Sequence, residues 1–200
     1  VFQPAEETAS GARAMVADGV FAGERPVAIY AVHTAPLEVG TLGTRAGGLM
    51  AGRDQVWVGV NGDGDLAAVA DAARVIIERV AKVGSDPTSW PADVVFVSRV
   101  ERRQLGARAW EVTAELAIAE RATREQVRAR LERELAALER PGVRVAVRYD
   151  AKTVAGVTND PALVARADAA IVRALGASAL RPLAGVVPGF SEDFGSLQEE

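Results

Sequence analysis

Between residues 54 and 150 the spacing of apolar residues switches repeatedly between a period of two and a period near four. In DQVWVGV, residues 54–60, Val56, Val58 and Val60 share one face of an extended segment and Trp57 takes the other. LAAVADAARVIIERVAKVG follows, with Leu66, Val69, Ala73, Ile76, Ile77 and Val80 at helical spacing. ADVVFVSRV reads as a second strand. AWEVTAELAIAE reads as a third, with Trp110, Val112, Ala114, Leu116 and Ile118 inward against Glu111, Thr113 and Glu115. TREQVRARLERELAALERPG carries the clearest helix signals. Thr123 and Gln126 suit a capping box, Val127, Leu131, Leu135 and Leu138 form the stripe, and Pro141-Gly142 ends it. VRVAVRY closes the series, with Val143, Val145, Val147 and Tyr149 alternating against arginines. The order βαββαβ is that of the split-βαβ, or ferredoxin-like, unit. It predicts one block over 47–150, with an antiparallel four-stranded sheet and two helices on one of its faces.

The flanks read differently. TASGARAMVADG predicts a short helix capped by Thr8 or Ser10, with Gly19 in the left-handed turn after it. The almost unbroken apolar run Val27 to Val32 predicts a strand covered on both faces, delivering His33 at its C-terminal end. GTLGTRAGGLMAG is glycine-rich and predicts a loose hinge. TNDPALVARADAAIVRALG predicts a helix with Asn159 or Asp160 as cap and Pro161 at the first helical position. The outer segments, 1–46 and 151–200, are expected to be two pieces of one α/β domain interrupted by the inserted block.

Composition narrows the function classes. Among 200 residues, 49% are hydrophobic and 25% charged, which suits a globular protein with a core. The 27 acidic against 23 basic residues give a net charge of −4, which argues against nucleic acid as a partner. No apolar run approaches the length of a membrane span, so no membrane partner is expected. Without cysteine, any metal must be held by oxygen or imidazole, and a reducing, cytoplasmic location is compatible. The first residue is Val1 rather than Met, so a longer parent chain is expected.

The candidate chemistry starts at the adjacent carboxylates Glu6 and Glu7. They fit a solvated helix start, where the helix dipole favours acids, or a metal site in which one binds and its neighbour moves protons. His33, the only histidine, suits either a buried hydrogen-bonded role or an imidazole ligand. The late acidic pair Glu192 and Asp193, within SEDF, fits an exposed loop, a helix cap or a site. NGDGD at 61–65 lacks the acidic residue that closes a calcium loop and reads as a turn plus a helix cap. GTLGTRAGG lacks the Gly-Lys-Ser/Thr ending of a phosphate loop.

Taken in order, FQPAEETASGARAMVADGVF, AIYAVHTAPLEVGTLGTRAGGLMAGRD, TNDP and GFSEDFG resemble the metal-dependent amidohydrolases of the aminoacylase, hippurate-hydrolase and indoleacetyl-amino-acid-hydrolase type. The resemblance implies an αβα metallohydrolase catalytic domain, incomplete here, with an inserted ferredoxin-like lid that also serves dimerisation. It implies Glu6 as general base, Glu7 and His33 as metal ligands, and Glu192 and Asp193 in a supporting place near the site. The metal would be zinc or manganese, with two ions in the complete protein. The substrate would be a small N-acyl amino acid or peptide-like amide, and the protein a cytoplasmic homodimer joined through the lid.

Several family features are missing. The first ligand cluster lies upstream of the Glu-Glu motif in the family and the last histidine ligand downstream of the late acidic motif, outside this chain. Leu66 stands where the family carries a lid histidine that reaches the substrate carbonyl, and leucine cannot donate to an oxyanion. Two readings follow: an amide hydrolase truncated at both ends, or a catalytically degenerate homologue that acts in binding or dimerisation.

Overall fold

A computed structural model describes residues 3–8, 10–23, 26–83, 90–150, 154–187 and 191–198. In chain order the first elements are a 3-10 turn at Glu6–Thr8, α1 (Gly11–Ala17), β1 (Leu42–Thr44), β2 (Gly47–Met50), β3 (Gly52–Gly62) and α2 (Leu66–Glu78). They are followed by β4 (Val95–Gly106), β5 (Ala109–Ile118), α3 (Arg121–Ala136) and β6 (Val143–Tyr149). The last are β7 (Val157–Asn159), α4 (Pro161–Leu175), a 3-10 turn at Ala177–Ala179, β8 (Leu180–Pro182) and a 3-10 turn at Asp193–Leu197. The architecture is mixed α/β. The chain divides into two compact units. One comprises Val1–Ala51, Asp86–Ala92 and Val154–Glu200, and the other Gly52–Ser85 and Asp93–Thr153.

The 52–153 unit holds one antiparallel sheet in the order β4-β5-β3-β6. Alternation along β3 sends Val56, Val58 and Val60 into the core, each with 0% exposure, while Trp57 on the other face is only half-buried. They pack with Leu66, Val69, Ala73, Ile76 and Ile77 of α2 and with Val127, Leu131 and Leu135 of α3. Burying a side chain of this size contributes roughly 1.5–3 kcal/mol, so these stripes hold both helices against the sheet. Asp65 caps α2 by accepting from Ala68 N at 3.0 Å, as NGDGD predicts.

The start of α3 differs from the expectation. The helix begins at Arg121 with Glu120 at its N-cap, so Thr123 lies inside the first turn and its hydroxyl turns back to Glu120 Oε2. The predicted capping box is therefore not formed. Facing β3, Arg128 forks onto the buried carboxylate of Asp54, and its guanidinium lies 4.5 Å from the centre of the Tyr149 ring. Burial is the main cause that pushes the Tyr149 hydroxyl above its ordinary pKa.

The other unit is built from short pairs. β1 pairs β8 in parallel, and β2 pairs β7 antiparallel. GTLGTRAGGLMAG is thus no loose hinge, because it supplies β1 and β2. The predicted strand over Val27 to Val32 is not formed either, and Val27 and Val32 are 97% and 86% exposed. A strand exists through backbone bonds to a neighbour, and among the described residues no strand pairs with this segment. α4 is capped as predicted, with Asp160 accepting from Ala162 N and Leu163 N, yet none of its residues is fully buried.

Candidate functional site

The Glu-Glu segment is shaped first by backbone. Ala5 sits at φ +55°, a left-handed conformation costly for a residue with a Cβ, and it reverses the chain just before the 3-10 turn of Glu6–Thr8. Ala5 O accepts from Thr8 Oγ1 at 3.1 Å and from Ser10 N at 3.3 Å, which closes the turn. The chain then enters α1 at Gly11, where a Cβ would lie 1.5 Å from Pro4 O; only glycine fits. Ser10 stands at the N-cap without a side-chain cap bond, and its hydroxyl instead meets that of Thr8 at 2.8 Å. The cap comes from Asp193, 181 positions away, whose Oδ2 accepts from Ala12 N at 2.9 Å.

The SEDF segment is the reverse of an exposed loop. Asp193 is 1% exposed, and Phe194, Gly195 and Ser196 are buried with it. Asp193 Oδ1 also accepts from Gln3 Nε2, so the residue reaches both sides of the Glu6–Glu7 turn. Glu192 caps its own 3-10 turn through Phe194 N at 3.2 Å. Burial pushes the Glu192 carboxyl above its ordinary pKa, the bond from Phe194 N–H offsets part of that, and the negative charge of Glu6 adds to the rise.

Among the described residues, the group of side chains able to hold a cation is Glu6, Glu192 and Asp193, with one carboxylate oxygen from each lying within 4.8 Å of the others. Glu7 is exposed and outside that group. His33 is also outside it, but shares a cavity of about 180 Å³ with Glu192, walled by Tyr30, Leu49, Met50 and Phe194. His33 Nδ1 lies 2.5 Å from Thr34 O. The structure therefore joins Glu6 to Glu192 and Asp193, puts His33 on the wall beside Glu192, and leaves Glu7 at the surface. Nothing local in the Gln3-Pro4 or Gly11-Ala12 pair signals a partner more than 180 positions away.

Leu66 opens α2 and is 3% exposed within the core of the 52–153 unit.

The sequence is 36% identical over 110 residues to the N-acetylcysteine deacetylase of Bacillus subtilis (strain 168), covering 50% of this chain and 28% of that protein. It is 45% identical over 69 residues to an N-acetyldiaminopimelate deacetylase of Leuconostoc mesenteroides, covering 34% of this chain and 18% of the relative. In fold it is similar to the Bacillus subtilis YXEP protein, described as a dinuclear metal binding peptidase from the M20 family. The TM-score is 0.76 at 24% identity, over 100% of this chain and 52% of that one. A putative aminohydrolase from methicillin-resistant Staphylococcus aureus gives a TM-score of 0.70 at 19% identity, over 98% of this chain and 53% of that chain. The chain thus spans about half the length of these structural neighbours. The profile of Peptidase family M20/M25/M40 runs across all of residues 1–200, from the Glu-Glu turn through the late acidic pair, and the chain belongs to that family.

Proposed function

We propose that the protein hydrolyses the amide bond of small N-acyl amino acids with the help of a divalent cation, zinc or manganese. The carrying observation is that Glu6 meets Glu192 and Asp193 in a chain matched over its whole length by a hydrolase family. The deacetylase relatives support N-acyl amino acids as the substrate class.

The residues present suit such a cation. Three crowded carboxylates repel one another; burial first, and then the charge of Glu6, raise the Glu192 pKa, and carboxylate oxygens with the imidazole of the nearby His33 fit zinc or manganese. Glu7 at the surface and His33 on the cavity wall beside Glu192 are the ligands the resemblance implies, with two ions held once the family's further ligands are present. When bound, a divalent cation lowers the pKa of water toward neutrality and polarises the amide carbonyl. Glu6 takes the proton from the attacking water and returns it to the leaving amine. Glu192 would line the cavity beside His33, and Asp193 would support the site through the backbone of the Glu6–Glu7 turn.

The unit holding 1–51 and 154–200 would form the catalytic domain, and the 52–153 unit a ferredoxin-like lid, which starts five residues later than the sequence predicts because β2 pairs with β7. β4, at the edge of its sheet with Phe96 39% exposed, would pair two lids in a homodimer. Among the described residues no helix is long and apolar enough to cross a membrane. A cytoplasmic location, with neither membrane nor nucleic acid as partner, completes this reading.

Leu66, a buried residue of the 52–153 core, favours a second reading, a degenerate homologue acting in binding or dimerisation, because the resemblance implies a histidine at that position. Assays of the full-length protein on N-acetyl amino acids decide between them. Turnover that a chelator abolishes, that zinc or manganese restores and that Glu6→Gln lowers by at least about a hundredfold supports the enzyme. No turnover in the metal-loaded protein favours the second reading.

A further inference from the structure

We propose that Asp193 is a positioning residue: its carboxylate clips together the two flanks of the Glu6–Glu7 turn and thereby fixes where Glu6 points. The inference rests on the reading of Glu6 as general base and assigns to the late acidic pair a division of labour.

The turn closes itself through one acceptor, Ala5 O, which takes the exposed Thr8 hydroxyl and Ser10 N. Its entry residue Ala5 is in a left-handed conformation, and its 3-10 segment is three residues long. The helix behind it has seven residues, too few for stability in isolation, and its N-cap serine makes no cap bond. The two oxygens of Asp193 supply what is missing. Oδ1 takes Gln3 Nε2 on the upstream flank, and Oδ2 takes Ala12 N on the downstream flank at 2.9 Å. The flanks also touch directly, since Gly11 packs against Pro4 O with no room for a side chain. At 1% exposure the Asp193 carboxylate is shielded from water, so the bonds act in a medium where they are strong. Glu192 makes no such clip. It accepts from Phe194 N within its own turn and lines the cavity that also holds His33. The pair is thus split, with Asp193 holding the backbone of the turn and Glu192 facing the cavity.

A group that aims a catalytic side chain is distinguishable from a mere cap. In the full-length protein loaded with zinc or manganese, Asp193→Ala is expected to lower kcat and metal affinity roughly 10–100-fold per folded molecule. KM should stay within about threefold, because the reacting groups rather than the substrate are displaced. Asp193→Asn should recover most of the loss: its amide oxygen accepts from Ala12 N–H, and its NH2 donates to Gln3 Oε1 once the Gln3 amide turns over. Gln3→Ala, which frees one flank, should give a smaller fall in kcat and decides the question with Asp193→Asn if the alanine variant does not fold.

Metal affinity by chelator competition, kcat, KM and Tm are measured for each variant beside Glu6→Gln. A lower Tm with unchanged kcat and affinity makes Asp193 a structural cap only and overturns the proposal. An Asn variant that loses metal as fully as the Ala variant makes Asp193 a ligand and also overturns it. Glu6→Gln inactive with Asp193→Ala fully active sinks this inference alone, whereas full activity in Glu6→Gln sinks the reading of Glu6 beneath it.

Discussion

The segments at 27–32 and 52–62 look alike on paper, both rich in valine and both suited to strands, yet only the second becomes one. β3 finds neighbours on both sides, β5 and β6, and two amphipathic helices supplied by the adjacent sequence cover one face. The run Val27 to Val32 pairs with no strand among the described residues and exposes its valines. α4 repeats the contrast on the helical side. α2 buries six residues and α4 none, although both are capped by an aspartate and both carry an apolar stripe. A pattern states which face wants cover; whether cover arrives depends on what folds beside it. The 52–153 unit contains its own cover.

The comparison can be broken by substitution, and the largest effect is expected in the 52–153 core. Leu131→Ala removes a side chain with 0% exposure between α3 and the sheet and should cost about 2–5 kcal/mol in urea unfolding. A cost below 1 kcal/mol would mean that this core is loosely packed.

Asp54→Ala should follow, on the order of 3 kcal/mol, because it leaves the partly buried Arg128 guanidinium without its carboxylate beneath the Tyr149 ring. An Asp54→Ala, Arg128→Met double variant should recover much of that loss, read by the same unfolding curves.

Asp160→Ala tests the other unit. Loss of two N-terminal hydrogen bonds should cost about 1 kcal/mol of α4 stability, seen as faster amide exchange over 161–165. Val27→Ser should change stability by less than about 0.5 kcal/mol, since the side chain is 97% exposed. A loss above 1 kcal/mol in the full-length protein would show that the 27–32 segment is covered there.

The smallest expected effect is electrostatic. The Arg130 guanidinium bonded to Glu134 holds its carboxyl below the ordinary range. The folded pKa is depressed, so this contribution is present above the unfolded carboxyl pKa and is lost as pH falls through the folded value. Glu134→Gln should therefore slightly reduce the acid-side slope of stability and leave the slope above neutral pH unchanged, measured by Tm against pH.

How far the sequence reaches is visible residue by residue. The alternation of Val56, Val58 and Val60, the stripe from Leu66 to Ile77 and the caps at Asp65 and Asp160 were all legible. Each depends on neighbours within a few positions, where strand and helix periods dictate which side chains share a face. Even there, a cap could be misplaced by three residues: Glu120 opens α3 where Thr123 and Gln126 offered the stronger motif. The candidate residues Glu6, Glu192 and Asp193 stood out as acidic pairs, but neither their spacing nor their chemistry indicated which would meet.

Tertiary structure decided that meeting. It turned Asp193 inward to Gln3 and Ala12, put Glu192 on a cavity wall with His33, and left Glu7 at the surface. It also drew two strands from a glycine-rich stretch that read as a hinge, because β7 and β8, more than a hundred residues downstream, offered edges to pair with. The physical reason is the same in every case. Periodicity encodes the faces of single elements, whereas a buried carboxylate or a short strand is stable only when donors distant in the chain satisfy it, and those partners exist only once the chain has folded.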